Sequence, residues 1–314
     1  MIRKTGTLVL IFMTLCVAAQ AATVEEQAAA FRRECGSKSE LAGQLETIAV
    51  PGEVGWYFLS SELRHIAAGR FWGEAAQEAS QATNKDFADP LPAILDFHER
   101  LQEAGIALIL VPVPPKAFIY PDMLSPRVYA DPETGLPPRL DVYHQEFYAL
   151  LREKGVEVVD LYPVLAKDRF DIAPWPDVKD AAAYCRQDSH WSQAGCAVSA
   201  QAIYEAVREK PWAQELEEGR RFMGGITPRM VEISGDLWNA LDEEMRPPRE
   251  SIPLYTSDLD VVDRDSPIIR LGDSHTLIFH SGGDMLHAGA GLATELAQVF
   301  GRPIDLMGVR GSGA

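Results

Sequence analysis

Apolar side chains recur at Ile94, Phe97, Leu101 and Ala104, three and four positions apart, and Gly105 follows where a helix would end. The continuous apolar run from Ile106 to Val113 then reads as a buried strand. The same unit returns further on: Leu140, Tyr143, Phe147 and Leu150 share a helical face, Gly155 stops it, and Val156 to Val159 reads as a strand. Helix, glycine and strand twice in succession predict an α/β fold with a parallel sheet. Ser192 is placed to cap a further helix with Cys196, Ala200, Ile203 and Val207 facing inward. Ser266 to Leu271 predicts a strand that ends in Gly272-Asp273-Ser274-His275, and Pro303 to Met307 another that ends in the glycine-rich tail Gly308 to Gly313. Both are strand ends of the kind at which α/β sheets bind ligands, and Pro112, Pro114 and Pro115 close the Ile106 run in the same way. Tyr129 to Pro138 and Met245 to Ile252 read as surface loops. No internal repeat or low-complexity linker divides the chain, so residues 22–314 read as one elaborated domain.

Composition narrows the class. The chain has 314 residues, 46% of them hydrophobic and 24% charged, which excludes bulk disorder and a polytopic membrane protein. Against 46 acidic residues there are 29 Lys and Arg, a net charge of -17, which argues against nucleic-acid binding because such affinity rests on clustered cations. Met1 to Ala21 has the make-up of a cleavable secretory signal: Arg3 and Lys4, an apolar stretch from Leu8 to Ala19, and Ala19-Gln20-Ala21 as the cleavage pattern. The stretch is too short to serve as a comfortable membrane anchor. Cleavage removes two cations and no acid, leaving an acidic exported protein. It also leaves Cys35, Cys185 and Cys196, so one pair can form a disulfide and one thiol remains. A Cys185 to Cys196 bridge would close a short loop and contribute about 2–3 kcal/mol; the alternative for Cys196 is a small buried residue. The cysteines lack zinc-ligand spacing, and no metal site is expected.

Two short motifs carry chemistry. Gly272-Asp273-Ser274 sits where a strand turns outward, a position that presents a serine hydroxyl with backbone N–H groups behind it. Asp188-Ser189-His190 supplies what such a serine needs: a base, and a carboxylate to orient it. Each alone also fits an ordinary capped turn or polar loop. Their conjunction, each beside a predicted sheet edge in an exported α/β protein, points to a nucleophilic site.

At these residues the chain resembles the SGNH-like domain of the periplasmic alginate O-acetyltransferase family. The resemblance rests on Asp188-x-His190-Trp191 before a helix, and on Gly272-Asp273-Ser274 after it. It also rests on Val111 to Lys116 with Tyr120-Pro121, Gly55 to Leu59 with Phe71-Trp72, and Gly235-Asp236-Leu237, so that it spans residues 52 to 275. It implies an SGNH-hydrolase-like three-layer fold with a mainly parallel sheet. The order of motifs implies circular permutation, since in ordinary SGNH hydrolases the serine comes first. By position, Ser274 corresponds to the nucleophile, His190 to the general base and Asp188 to its partner, acting through an acetyl-serine. The Ser274 N–H and a tail glycine, Gly311, correspond to oxyanion donors. Trp56 and Trp72 are expected to fill an N-terminal core.

Several side chains stay open to two roles. His275 competes with His190 as base, but adjacent side chains on an extended turn point apart. Lys116 and Arg270 lie near strand ends, either to meet an anionic sugar or as solvated surface cations. Trp191 either stacks on a sugar or supports the His190 loop. The activity implied by the resemblance is O-acetylation of an exported polysaccharide in the periplasm. It needs no cofactor beyond an acetyl donor, which a membrane-bound O-acyltransferase partner would relay. No C-terminal carbohydrate-binding module is expected after the catalytic domain, and the acidity of the chain sits awkwardly with a uronate polymer such as alginate. An acetylesterase of the same fold and a non-catalytic polysaccharide-binding assembly subunit are the rivals.

Overall fold

A computed structural model describes residues 23–175, 181–217, 219, 226–257 and 260–311; the expected signal segment lies outside them. The first helix, α1 (Val24–Gln44), opens on a reciprocal cap: the Thr23 hydroxyl accepts from the Glu26 N–H, and the Thr23 N–H donates to the Glu26 carboxylate. It buries Ala28, Phe31 and Cys35. A short antiparallel pair, β1 (Ala49–Pro51) and β2 (Tyr57–Leu59), leads into α2 (Ser60–Ala68), which packs on α1.

Both helix-glycine-strand units form. In the first, α3 (Pro90–Glu103) is capped by Asp89 and followed by Gly105 at φ 73 and β3 (Ile109–Leu110). In the second, α4 (Val142–Glu153) is followed by Gly155 at φ 87 and β4 (Glu157–Val158). Glycine is needed at both turns because other residues are strained at such φ. β3 and β4 pair in parallel, Ile109 opposite Glu157 and Leu110 opposite Val158, as the repeated unit predicts. The Ile106–Val113 run, however, yields only a two-residue, half-buried strand. Pro112, Pro114 and Pro115 have no N–H to donate, so the ladder cannot continue. α3 likewise buries no residue fully, and Phe97 and Ile106 are exposed. This region forms a small second core around Trp72, Phe147, Leu151 and Val158, while Trp56 belongs to the main one.

The helix α5 (Gln193–Val207) starts on Ser192, whose hydroxyl accepts from the Gly195 N–H at 3.2 Å. Its predicted inward positions, Cys196, Ala200, Ile203 and Val207, are all buried. Beyond it, β5 (Ile226–Ile233) and β6 (Glu250–Ser257) form the longest ladder, antiparallel, with the short helix α6 (Asp236–Asn239) between them. The sequence pattern placed Met245 to Ile252 in a loop; the loop ends at Arg249, and Pro247 and Pro248 masked the strand that follows. The strand β7 (Ile269–Gly272) runs parallel to β8 (Asp305–Gly308), Gly272 opposite Gly308. Between them lie α7 (Ser274–Leu277) and α8 (Leu292–Phe300), and α8 packs on α5. The α/β class stands, but parallel and antiparallel ladders are equal in number among the described residues, where a mainly parallel sheet was expected.

Candidate active site

The segment before α5 folds back on itself: the Cys185 N–H donates to the His190 carbonyl and the Ser192 N–H to the Ala183 carbonyl. Within that turn, a spacing of two lets one Asp188 oxygen serve His190 twice. Asp188 Oδ1 accepts the His190 backbone N–H at 2.9 Å and lies 2.7 Å from its ring Nδ1. Asp188, Ser189 and His190 are all buried. Burial opposes the Asp188 charge, but the bond to His190 and its positive charge outweigh it and hold the carboxyl at about 2. Burial also opposes charge on His190; the Asp188 bond and charge, with Asp236 and Asp273 beyond, raise its pKa above the ordinary value of 6.5. The pair is an oriented imidazole whose Nε2 is left for chemistry.

Ser274 begins α7 directly after β7. Asp273 caps the turn, its Oδ1 accepting the His275 N–H at 2.9 Å. Gly272 is required here: a Cβ would stand 2.2 Å from Thr276 Oγ1. Ser274 is half-buried, and among the described residues its hydroxyl makes no hydrogen bond. The two segments meet through His275, whose carbonyl accepts from Trp191 Nε1 at 3.0 Å and whose ring lies 4.6 Å from that of His190. Ser274 and His190 are therefore brought to one place without a direct hydrogen bond; such bonds often tighten only with substrate bound.

His275 is a poor base. Burial and the nearby His190 push its pKa down to about 3, and its Nδ1 is 3.9 Å from Asp273, too far to be oriented. Ser189 is also disqualified as nucleophile, because its hydroxyl donates to Asp236 Oδ2 at 2.5 Å inside the protein. Asp236 itself escaped the sequence reasoning as a site residue. Gly235-Asp236-Leu237 drew notice only as a block of the resemblance. Donor atoms of Asp188, His190 and Asp236 lie within 4.8 Å of one another, a spacing a cation could use. Each is engaged instead: His190 Nδ1 with Asp188, both Asp236 oxygens with Ser189, and Asp188 Oδ2 with the Asp236 N–H.

Other predicted site residues sit elsewhere or act otherwise. Lys116 is neither a sugar contact nor a solvated cation: it is fully buried, and its Nζ donates to the carbonyls of Tyr57, Arg186 and Asp188 at 2.7, 3.1 and 2.9 Å. It holds the Asp188 loop from behind. Arg270 is half-buried: its Nη1 donates to the Leu271 carbonyl, its Nε is buried without a partner, and its Nη2 lies beside Gly272, where a Cβ would stand 3.1 Å away. Trp191 is wholly buried and packs edge-on against His275, which leaves no face for a sugar and makes it a support for the loop. Gly311 is exposed at φ 69 with open space around it; Gly308, opposite Gly272 and packed on Leu277, is the tail glycine beside the Ser274 turn. Cys35, Cys185 and Cys196 are free and buried, so the Cys185–Cys196 bridge is not formed; burial pushes all three thiols up, away from thiolate.

With this geometry in place, comparison with known proteins adds the following. A family model described as SGNH hydrolase-like domain, acetyltransferase AlgX, matches residues 49–277. The probable alginate O-acetylase AlgJ of Pseudomonas aeruginosa is 25% identical over 162 residues, which is 51% of this chain and 33% of that protein. Its counterpart in Pseudomonas putida is 32% identical over 118 residues, 37% of this chain and 26% of that protein. The chain thus spans about a third or less of the length of these relatives. Among solved structures, the O-acetyltransferase domain of Pseudomonas putida AlgJ superposes with a TM-score of 0.55 at 22% identity, covering 85% of this chain and 81% of that one. Pseudomonas aeruginosa AlgX gives 0.54 at 17% identity, covering 84% and 56%. These likenesses show an SGNH hydrolase-like fold.

Proposed function

Because the chain belongs to the family of SGNH hydrolase-like acetyltransferase domains, we propose that it transfers acetyl groups to hydroxyls of an exported polysaccharide. The observation that carries this reading is the buried Asp188–His190 pair set against the turn that presents the unpartnered hydroxyl of Ser274. His190 takes the Ser274 proton as Oγ bonds to the acetyl carbonyl carbon, and returns it to the leaving group of the donor. A sugar hydroxyl then gives its proton to His190 and attacks the acetyl-serine, and Ser274 departs and recovers the proton. The Ser274 N–H, first in its helix and without a carbonyl partner among the described residues, is available to the oxyanion.

The acceptor class follows from relatives named as alginate O-acetylases, and alginate is one candidate polymer. We place the protein in the periplasm, with the acetyl group delivered by a membrane-bound acyltransferase; among the described residues no helix is long and apolar enough to cross a membrane. The test is mass spectrometry of the protein and its Ser274→Ala variant after exposure to an activated acetyl ester, with and without an oligosaccharide. Acetyl on Ser274 that passes to the sugar upholds the reading. Release to water alone identifies an esterase, and no Ser274-dependent chemistry overturns it.

A further inference from the structure

Asp188 has two carboxylate oxygens, and only one is used by His190. Oδ2 accepts the backbone N–H of Asp236 at 2.8 Å. The Asp236 side chain then grips the next residue of the same loop: its Oδ1 accepts the Ser189 N–H at 2.8 Å and its Oδ2 the Ser189 hydroxyl at 2.5 Å. On the other side the Trp238 N–H donates to the Gln187 carbonyl at 3.0 Å. Three successive residues, Gln187, Asp188 and Ser189, are thus each bonded to residues 236–238. The two turns touch backbone to backbone, since a Cβ on Gly235 would stand 2.2 Å from the Gln187 carbonyl oxygen and 2.7 Å from Asp188 Cβ. Only glycine fits there.

We infer that Gly235 and Asp236 form a positioning clamp that fixes the rotation of the Asp188 carboxylate, and through it the His190 ring, for the reaction proposed above. Among the described residues no hydrogen bond joins Asp236 to Ser274, so Asp236 acts through Asp188 and not on the reacting atoms. A carboxylate held only at Oδ1 can swing about its Cβ–Cγ bond and take the imidazole with it; anchoring Oδ2 removes that freedom. Asp236 also places a third carboxylate near His190, beside those of Asp188 and Asp273, with His275 opposing them.

Three variants separate the parts. Asp236→Asn keeps the backbone N–H to Asp188 but loses the charge and one acceptor for Ser189; Ser189→Ala loses the hydroxyl grip together with that hydroxyl's 3.4 Å contact to His190 Nδ1; Gly235→Ala forces the turns apart. The first readout is the His190 titration midpoint by NMR in a Ser274→Ala background, which needs no acyl transfer. The second is the split between kcat and KM with an activated acetyl ester. In Asp236→Asn the His190 midpoint falls and kcat drops on the order of tenfold, with KM within about twofold of wild type. Gly235→Ala loses more and Ser189→Ala less, and Asp236→Glu recovers part of the midpoint. An unchanged His190 midpoint and kcat in folded Asp236→Asn overturn the clamp. Loss of activity that merely tracks the unfolded fraction, with the midpoint of the folded fraction unmoved, overturns it as well. If wild type shows no Ser274-dependent chemistry while Asp236→Asn still shifts the midpoint, the reaction assigned to the site falls and the clamp stands.

Discussion

Residues 183–192 and residues 272–277 meet in one site but are held by different means. The first segment is gripped from outside itself: by the Lys116 ammonium, by Asp236, and by Glu250, which accepts the N–H groups of Arg186 and Gln187 at 2.7 and 3.0 Å. The second is set by its own backbone, with Asp273 capping the turn and Gly272 giving it room, and its serine hydroxyl is left free. The base is fixed in advance and buried, and the nucleophile is presented. Orientation matters most for the imidazole, which must take a proton from one partner and return it to another.

The contrast is broken hardest at the chemistry. Ser274→Ala should abolish acyl-enzyme formation while leaving stability within about 0.5 kcal/mol, because that hydroxyl holds nothing. Asp188→Asn should keep the fold and lower turnover of an activated ester by about 10⁴-fold, since the imidazole loses its orienting charge. The rate should also rise with pH through a midpoint above the ordinary 6.5 of histidine, because the carboxylates around His190 raise its pKa and only the neutral ring can act as base. A midpoint at or below 6.5 would show that the pair does not form in solution.

Lys116→Met tests the outside grip. It leaves the Tyr57 and Asp188 carbonyls without their donor, while the Arg186 carbonyl keeps the Tyr57 N–H, so urea unfolding should show a loss of about 3 kcal/mol and, with it, a weakened base. A smaller effect is expected behind the segment, where Gln193 donates to Glu295 at 2.7 Å. Burial raises the Glu295 carboxyl to about 7, against that one donor. Between pH 4.5 and 7 the folded chain keeps a proton that the unfolded chain has released, so stability falls as pH rises through that window. Glu295→Gln keeps the shape and should remove about 2 kcal/mol of the fall, read from melting curves at pH 5 and 8. The smallest effect belongs to the tie between the segments. Trp191→Phe loses the bond to the His275 carbonyl, which should cost about 1 kcal/mol and lower turnover modestly.

What the sequence made legible was local. Asp188 and His190 announce themselves because their contact spans two residues, and the helix-glycine units because Gly105 and Gly155 mark the turns. Asp236 pairs with Asp188 across 48 positions, and nothing in the spacing of either motif indicates it. Lys116 read as either a sugar contact or a solvated cation because its three carbonyl partners come from two distant stretches that only the fold assembles. The Cys185–Cys196 expectation drew on chain proximity, whereas the structure points Cys185 Sγ toward the Trp191 carbonyl.

Carboxylate and base share one short turn and the serine occupies another, so only two pieces of chain have to be delivered to the site. Neither piece depends on which comes first from the ribosome. The order of the two pieces can be exchanged without redesigning a contact between them, provided residues 235–238, which anchor Asp188, are delivered as well. The arrangement works as two cassettes and an anchor, and a reordered chain has to remake only the join from Trp191 to His275 and the anchor from Asp236 to Asp188.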